Sequence, residues 1–246
     1  MASLALTHAR FRILETIRIP IAVVGGAFFP AASMLFFVVP FAGDDPTAAT
    51  YATASMVMFA VMTSSLFTYG VGVAEDRAQP WDPYTRTLPA GPSAAFAGRI
   101  LAGLTFMALS LLPVVVIGWL FTAATASPAG LLLALGAVIL GALPFTFMGL
   151  AIGYALPMKA ALAVAQIIFF PLAFGGGLLS APGQAPAFVE TIAPYLPTRG
   201  AVELVWAAVG DFGVSRTSML ALAAWTVAMA ALAAWAYRRD EGARFS

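Results

Sequence analysis

Residues 100–158 read ILAGLTFMALSLLPVVVIGWLFTAATASPAGLLLALGAVILGALPFTFMGLAIGYALPM, and none of them is charged. A helix crosses the hydrocarbon of a bilayer in roughly 20 residues, so this run is too long for one crossing. It breaks at Thr125-Ala-Ser-Pro-Ala-Gly130, a cluster of turn-forming residues. The run therefore reads as two successive membrane helices joined by a tight loop. The whole chain agrees with that reading: 61% of its residues are hydrophobic and 9% charged, against about 25% charged in an ordinary soluble domain.

Working outward, four more charge-free windows appear, at Ile19–Gly43, Pro46–Ala74, Ala160–Val189 and Thr217–Tyr237. Together they predict an all-α integral membrane protein of six spans, at about 19–41, 50–73, 100–124, 131–154, 160–180 and 217–237. The first apolar run is longer than a signal-peptide core and reads as a retained span. An even number of spans puts both chain ends on one side. That side carries Arg10, Arg12, Arg18, Arg77, Arg86, Arg99, Lys159, Arg238, Arg239 and Arg244; the other carries only Arg199 and Arg216. The excess of basic residues predicts that both termini are cytoplasmic.

Residues 1–18 precede the first span. Ala2, Leu6, Ala9, Ile13 and Ile17 recur at helical spacing, with His8, Arg12 and Glu15 opposite. Arg10 intrudes on the apolar side, where its long stem can snorkel to the headgroups. The pattern suits an amphipathic interfacial helix and also an ordinary basic flank.

The longest polar break on the predicted cytoplasmic side falls between spans two and three, within 74–99, and reads VAEDRAQPWDPYTRTLPAGPSAAFAGR over Val73–Arg99. Asp82-Pro83 is a helix start, since Asp accepts from free N–H groups and Pro at the first position loses none. Pro89-Ala-Gly-Pro92 stops that short helix, and Ser93 caps the third span. The segment presents Tyr84 and Arg86, with Trp81 before them, all residue types favoured in protein interfaces. A membrane-surface loop anchored by Trp81 is the alternative.

Inside the spans, polar side chains are few. Ser64 and Thr68 stand one helical turn apart in span two, suited to lining a substrate path or to helix packing. Gln166 is the strongly polar side chain within span five, suited to touching substrate or to bonding between helices. Pro113 and Pro144 are expected to kink spans three and four. Residues 181–212, on the opposite side, are divided by Pro182, Pro186, Pro194 and Pro197 into two short apolar stretches, Ala187–Ala193 and Thr198–Val209. Such stretches are expected to pack on the bundle or dip into the bilayer under protein cover. Arg199 and Glu203 are spaced to pair, and an exposed pair of that kind contributes only a few tenths of a kcal/mol, roughly.

Several chemistries are excluded by composition. The chain has no cysteine and one histidine, His8, which removes disulfides, thiolate chemistry and a His-rich metal site. No charge lies deep in a span, which argues against a proton relay. There is no G-x-x-x-x-G-K-[ST] loop, and Lys159 is the only lysine. The chain is thus expected to be no enzyme and to bind no metal or cofactor itself.

The order of these parts resembles the ABC-2 type permeases, bacterial exporter subunits of the daunorubicin-resistance and polysaccharide-export kind. The likeness rests on Gly72-Val-Ala-Glu75-Asp76-Arg77 leaving span two and on Thr87-Leu-Pro-Ala-Gly-Pro92 with Gly98-Arg99 entering span three. It rests also on Pro171–Ser180 followed by Pro194-Tyr-Leu-Pro197 and the stretch to Val209. Gln79-Pro80-Trp81-Asp82 departs from the family pattern. The resemblance implies six spans with an amphipathic N-terminal helix, a cytoplasmic coupling helix and two short outer helices. It implies two permease subunits, alike or paralogous, in the bacterial plasma membrane, and two separate ATPase subunits that bind ATP and Mg. The ATPase contacts would fall on Glu75, Asp76, Arg77, Trp81, Asp82, Tyr84 and Arg86. Substrate, drug-like, lipid-like or glycan, would move outward between the permeases, past candidates such as Ser64, Thr68 and Gln166. No nucleic-acid partner is implied. Rival readings are an ATP-independent transporter or channel, and a membrane scaffold.

Overall fold

The computed structural model describes residues 2–18, 20–80, 92–180 and 182–242. Among them the chain is helical, with no strand. Helix α1 is Ala2–Ile17. Helix α2 runs from Pro20–Ser33 through a π turn, Met34–Val38, into Val39–Ala42. Helix α3 is Pro46–Ser64, continued by a π stretch, Ser65–Val71, and by Gly72–Arg77. Then follow α4 (Pro92–Phe121), α5 (Pro128–Ala155), α6 (Met158–Gly175), the short α7 (Ala187–Ile192), α8 (Pro197–Val209) and α9 (Arg216–Gly242).

Five helical stretches, Pro46–Arg77, Ala97–Phe121, Pro128–Ala155, Met158–Gly175 and Arg216–Glu241, are long and apolar enough to cross a membrane, with a shorter apolar stretch at Ala27–Ala42. That shorter stretch is part of α2, which at about 1.5 Å per residue is itself long enough to cross. Among the described residues the chain is an all-α integral membrane protein, with five spanning helices and this sixth, shorter apolar one. Large apolar side chains such as Phe36, Phe41, Trp119, Leu132 and Leu220 are exposed on its outside, the surface a bilayer covers.

Local chemistry sets the helix ends. Asp45 accepts from the Ala48 N–H at 2.6 Å and Pro46 takes the first helical position, so α3 starts there. Ser127 accepts from the Gly130 N–H at 3.0 Å ahead of Pro128, which starts α5 at the turn expected between the two central spans. The helices run on through Pro113 and Pro144. Helix α6 stops at Gly175, short of the residue 180 expected for its span. Gly177 adopts φ +74°, the Leu178 N–H donates to the Ala173 carbonyl at 3.1 Å, and the Gly177 N–H donates to the Phe174 carbonyl at 3.1 Å. These bonds close a Schellman motif, and the left-handed residue at its centre favours glycine.

Helix α5 lies at the centre, against α3, α8 and α9. Gly149 and Gly153 let the π stretch of α3 come in: a Cβ on either would stand 2.5 Å from the carbonyl oxygen of Ser65 or Tyr69. Met58, Met62 and Leu66 of α3, Phe145 of α5 and Trp206 of α8 are fully buried there.

The segment at 181–212 folds as two short helices, and α8 is an internal wedge. Ala201, Val202, Val205 and Trp206 are buried, and the Trp206 Nε1–H donates to the Tyr51 carbonyl and the Ser55 Oγ, both at 3.1 Å. This placement corrects the expectation of a weak exposed pair at Arg199 and Glu203. Both are buried, and the Arg199 Nε–H donates to Glu203 Oε1 at 2.8 Å. Glu203 also accepts from the Ser215 N–H at 3.0 Å and the Ser218 Oγ at 3.1 Å. The i,i+4 spacing is the same on a wet helix and on a buried one; only the wedging of α8 decides which.

Helix α1 packs on α4 through a narrow ridge. Ala9 is buried and Ile13 partly so, but Leu6 and Ile17, expected on the same face, are exposed, as are Leu4, Phe11 and Leu14.

Candidate functional site

The candidate site is the end of the bundle where α3 stops and the chain leaves for α4. The last turn of α3 carries Glu75, Asp76 and Arg77, closed by the Ala78 N–H donating to the Glu75 carbonyl at 3.0 Å. Each of the three takes a different direction. Glu75 is exposed, with no side-chain partner among the described residues. Asp76 accepts from Arg99 Nη2 at 2.9 Å, which ties α3 to α4. Arg77 turns inward.

The Arg77 guanidinium makes four contacts on two other helices. Its Nε and Nη2 donate to Asp240 Oδ1 at 2.9 and 2.5 Å, and Asp240 is buried on α9. Its Nη1 donates to the carbonyls of Gly153 at 2.8 Å and Leu156 at 3.1 Å. Those carbonyls lie at the C-terminal end of α5, where the last turn has no intrahelical donors and a cation is favoured by the helix dipole. Planar geometry lets one guanidinium serve a carboxylate and two carbonyls together, which a lysine ammonium does less well.

The network continues sideways. Arg99 Nη1 donates to the Tyr154 Oη at 2.9 Å, and its guanidinium lies 5.9 Å from the centre of that ring. Tyr154 meets Tyr237 edge-on at 5.1 Å, and the Tyr237 Oη donates to Glu241 Oε1 at 2.7 Å. Farther back along α3, the Tyr69 Oη donates to the Ile100 carbonyl at 3.2 Å. Four spans, α3, α4, α5 and α9, are thus clasped at the mouth of the 78–91 segment. Trp81, Asp82, Tyr84 and Arg86, together with the short helix expected there, lie outside the described residues.

The sequence reading brought Glu75, Asp76 and Arg77 together but missed Asp240, Tyr154 and Tyr237. The signal for Asp240 was present, an acid beside Arg238 and Arg239 at the end of the last span.

The path candidates do not form one site by hydrogen bonding. Ser64 is buried and Thr68 half-buried, and neither hydroxyl has a partner among the described residues. The π stretch begins at Ser65, between them. A four-residue spacing therefore no longer marks one α-helical face. Gln166 stands exposed on the outer face of α6 beside Ile167, Phe170 and Phe174, while Phe169 packs inward on Phe59 at 5.2 Å and Phe67 at 6.1 Å.

Comparison with known proteins adds two findings. The profile of the ABC-2 type transporter family matches residues 4–209. A Bacillus subtilis (strain 168) protein named "Putative transport permease YvfS" is 27% identical over 155 residues. The aligned part covers 61% of this chain and 63% of that relative's length.

Proposed function

The chain belongs to the ABC-2 type transporter family, and from that premise we propose that it is the membrane-spanning permease of an ATP-binding-cassette exporter. The observation that carries this reading is the clasp around Arg77. A segment that joins α3 to α4 is anchored, through Arg77 and Arg99, to the ends of α5 and α9. A push on that segment is delivered to four spans at once, as a rigid-body reorientation requires.

In this proposal a separate ATPase, present in two copies, binds ATP and Mg and presses on residues 78–91 from the cytoplasm. Glu75 is the described coupling residue free to meet it. In this reading the termini lie in the cytoplasm, which the distribution of arginines supports. A second permease subunit covers α6. Gln166 supports that assignment, since a carboxamide turned toward hydrocarbon is costly and a facing helix can satisfy it. Substrate passes outward between the subunits; drug-like, lipid-like and glycan cargoes all belong to this reading. The chain itself hydrolyses nothing.

Co-expression with the ATPase tests the proposal. The expected result is co-purification and ATP hydrolysis stimulated by the permease, with stimulation reduced in Glu75→Gln at unchanged stability. Full stimulation and transport in a variant with residues 75–77 neutralised would remove the coupling role.

A further inference from the structure

Between α1 and the start of α4 runs an open groove that the transport reading leaves unused. Leu6, Ala9 and Ile13 of α1 form one wall, Leu101 and Thr105 of α4 the other, and Arg10 stands at the edge. The walls are apolar in effect, because the Thr105 Oγ1 donates to its own helix at the Leu101 carbonyl, 3.0 Å away. Arg10 is exposed and has no hydrogen bond or ion pair among the described residues. The nearest basic residue of α4 along the chain, Arg99, is already committed to Asp76 and Tyr154. None of the lining residues is acidic.

An apolar trough with one unpaired guanidinium at its rim matches an anionic amphiphile. Leu101 and Thr105 lie just past Arg99, at the level where α4 enters the hydrocarbon, so the trough opens where lipid headgroups meet acyl chains. We propose that it seats an anionic phospholipid, its phosphate held by Arg10 and one acyl chain laid along Ile13, Leu101 and Thr105. The guanidinium fork suits phosphate oxygens, and a long stem along apolar surface with its head at the interface is the usual posture of a membrane arginine. Without a carboxylate in the lining, nothing offers a partner to the ammonium of a zwitterionic headgroup. The inference needs only that the chain lies in a bilayer and is independent of the ATPase coupling.

The test is native mass spectrometry of the full chain exchanged into micelles doped with equal phosphatidylglycerol and phosphatidylcholine of matched acyl chains. Wild type is expected to retain phosphatidylglycerol over phosphatidylcholine. Arg10→Gln should lose about tenfold of that preference, one good charge-assisted pairing. Arg18→Gln, which removes an exposed arginine of the same region outside the groove, should keep most of it. Thr105→Trp, which fills the trough, should lower retention of both lipids. Equal losses in Arg10→Gln and Arg18→Gln would reduce the effect to diffuse surface charge and overturn the site. So would a wild type without preference, or unchanged retention in folded Thr105→Trp.

Discussion

The two ends of the bundle are both held by arginines, one buried and the other two half-buried, and they are held in different ways. At one end Arg199 and Glu203 sit four residues apart on the single helix α8, with Glu190 added at 3.4 Å and the start of α9 reached through Ser215 and Ser218. At the other end Arg77 reaches Asp240, 163 residues along the chain, and also carbonyls of α5; Arg99 reaches Tyr154 and Asp76. The first arrangement is preassembled by one helix and locks a wedge into the bundle. The second exists only when four helices arrive together, and it sits where a connecting segment enters. In the proposed reading, the contrast separates a part that keeps the fold from a part that passes on a movement.

Breaking each end should therefore fail differently. The largest effect is expected for Glu203→Ala, which leaves Arg199 buried without its main partner. Removing one member of a buried pair costs about 3–5 kcal/mol, so the thermal midpoint in detergent should drop sharply, with coupling lost only in proportion to unfolded protein. Arg199→Met with Glu203→Leu should restore most of the loss, since an apolar pair of similar size avoids the desolvation cost.

Next comes Arg77→Ala, expected to cost about 3 kcal/mol by taking the guanidinium away from the buried Asp240 carboxylate. Here stimulation of the ATPase should fall further than stability does. Arg77→Lys sharpens the distinction. It keeps the charge, gives up the fork, and should lower coupling with a smaller shift in the thermal midpoint. A double-mutant cycle with Asp240→Asn should show non-additivity in both readouts.

Smaller effects follow. Trp206→Phe keeps an aromatic body against Tyr51 and Phe212 but removes the donor to the Tyr51 carbonyl and Ser55. It should cost about 1 kcal/mol, with coupling unchanged. Glu75→Gln should move stability by less than about 0.5 kcal/mol, as an exposed substitution, while reducing stimulation of the ATPase.

Much of the fold was legible in the chain because membrane crossing is a length-and-polarity rule. Residues 100–158 had to be two helices, and Ser127-Pro128 and Asp45-Pro46 carry their own helix starts. The end of α6 was less visible, because three consecutive glycines do not say which will take positive φ; Gly177 does, and the helix stops before it. The π stretch at Ser65–Val71 was invisible, since it depends on how closely Gly149 and Gly153 admit α3. At the candidate site the acidic-acidic-Arg exit was readable as a unit. Its partners were not, for pairing Arg77 with Asp240 rather than Glu241 is decided by the rotation of α9 against α5. The same limit applied to Arg199 and Glu203, where spacing foretold the pair and only packing revealed its burial.

The central claim is that this membrane chain is driven by a separate ATPase through the end of α3. Its most direct test is ATP hydrolysis by that ATPase in proteoliposomes, alone, with the wild-type chain and with the Glu75→Gln chain. The account predicts several-fold stimulation by wild type and weaker stimulation by the variant at equal thermal midpoint. Hydrolysis indifferent to the chain, with transport persisting on an ion gradient and no ATPase present, would contradict it.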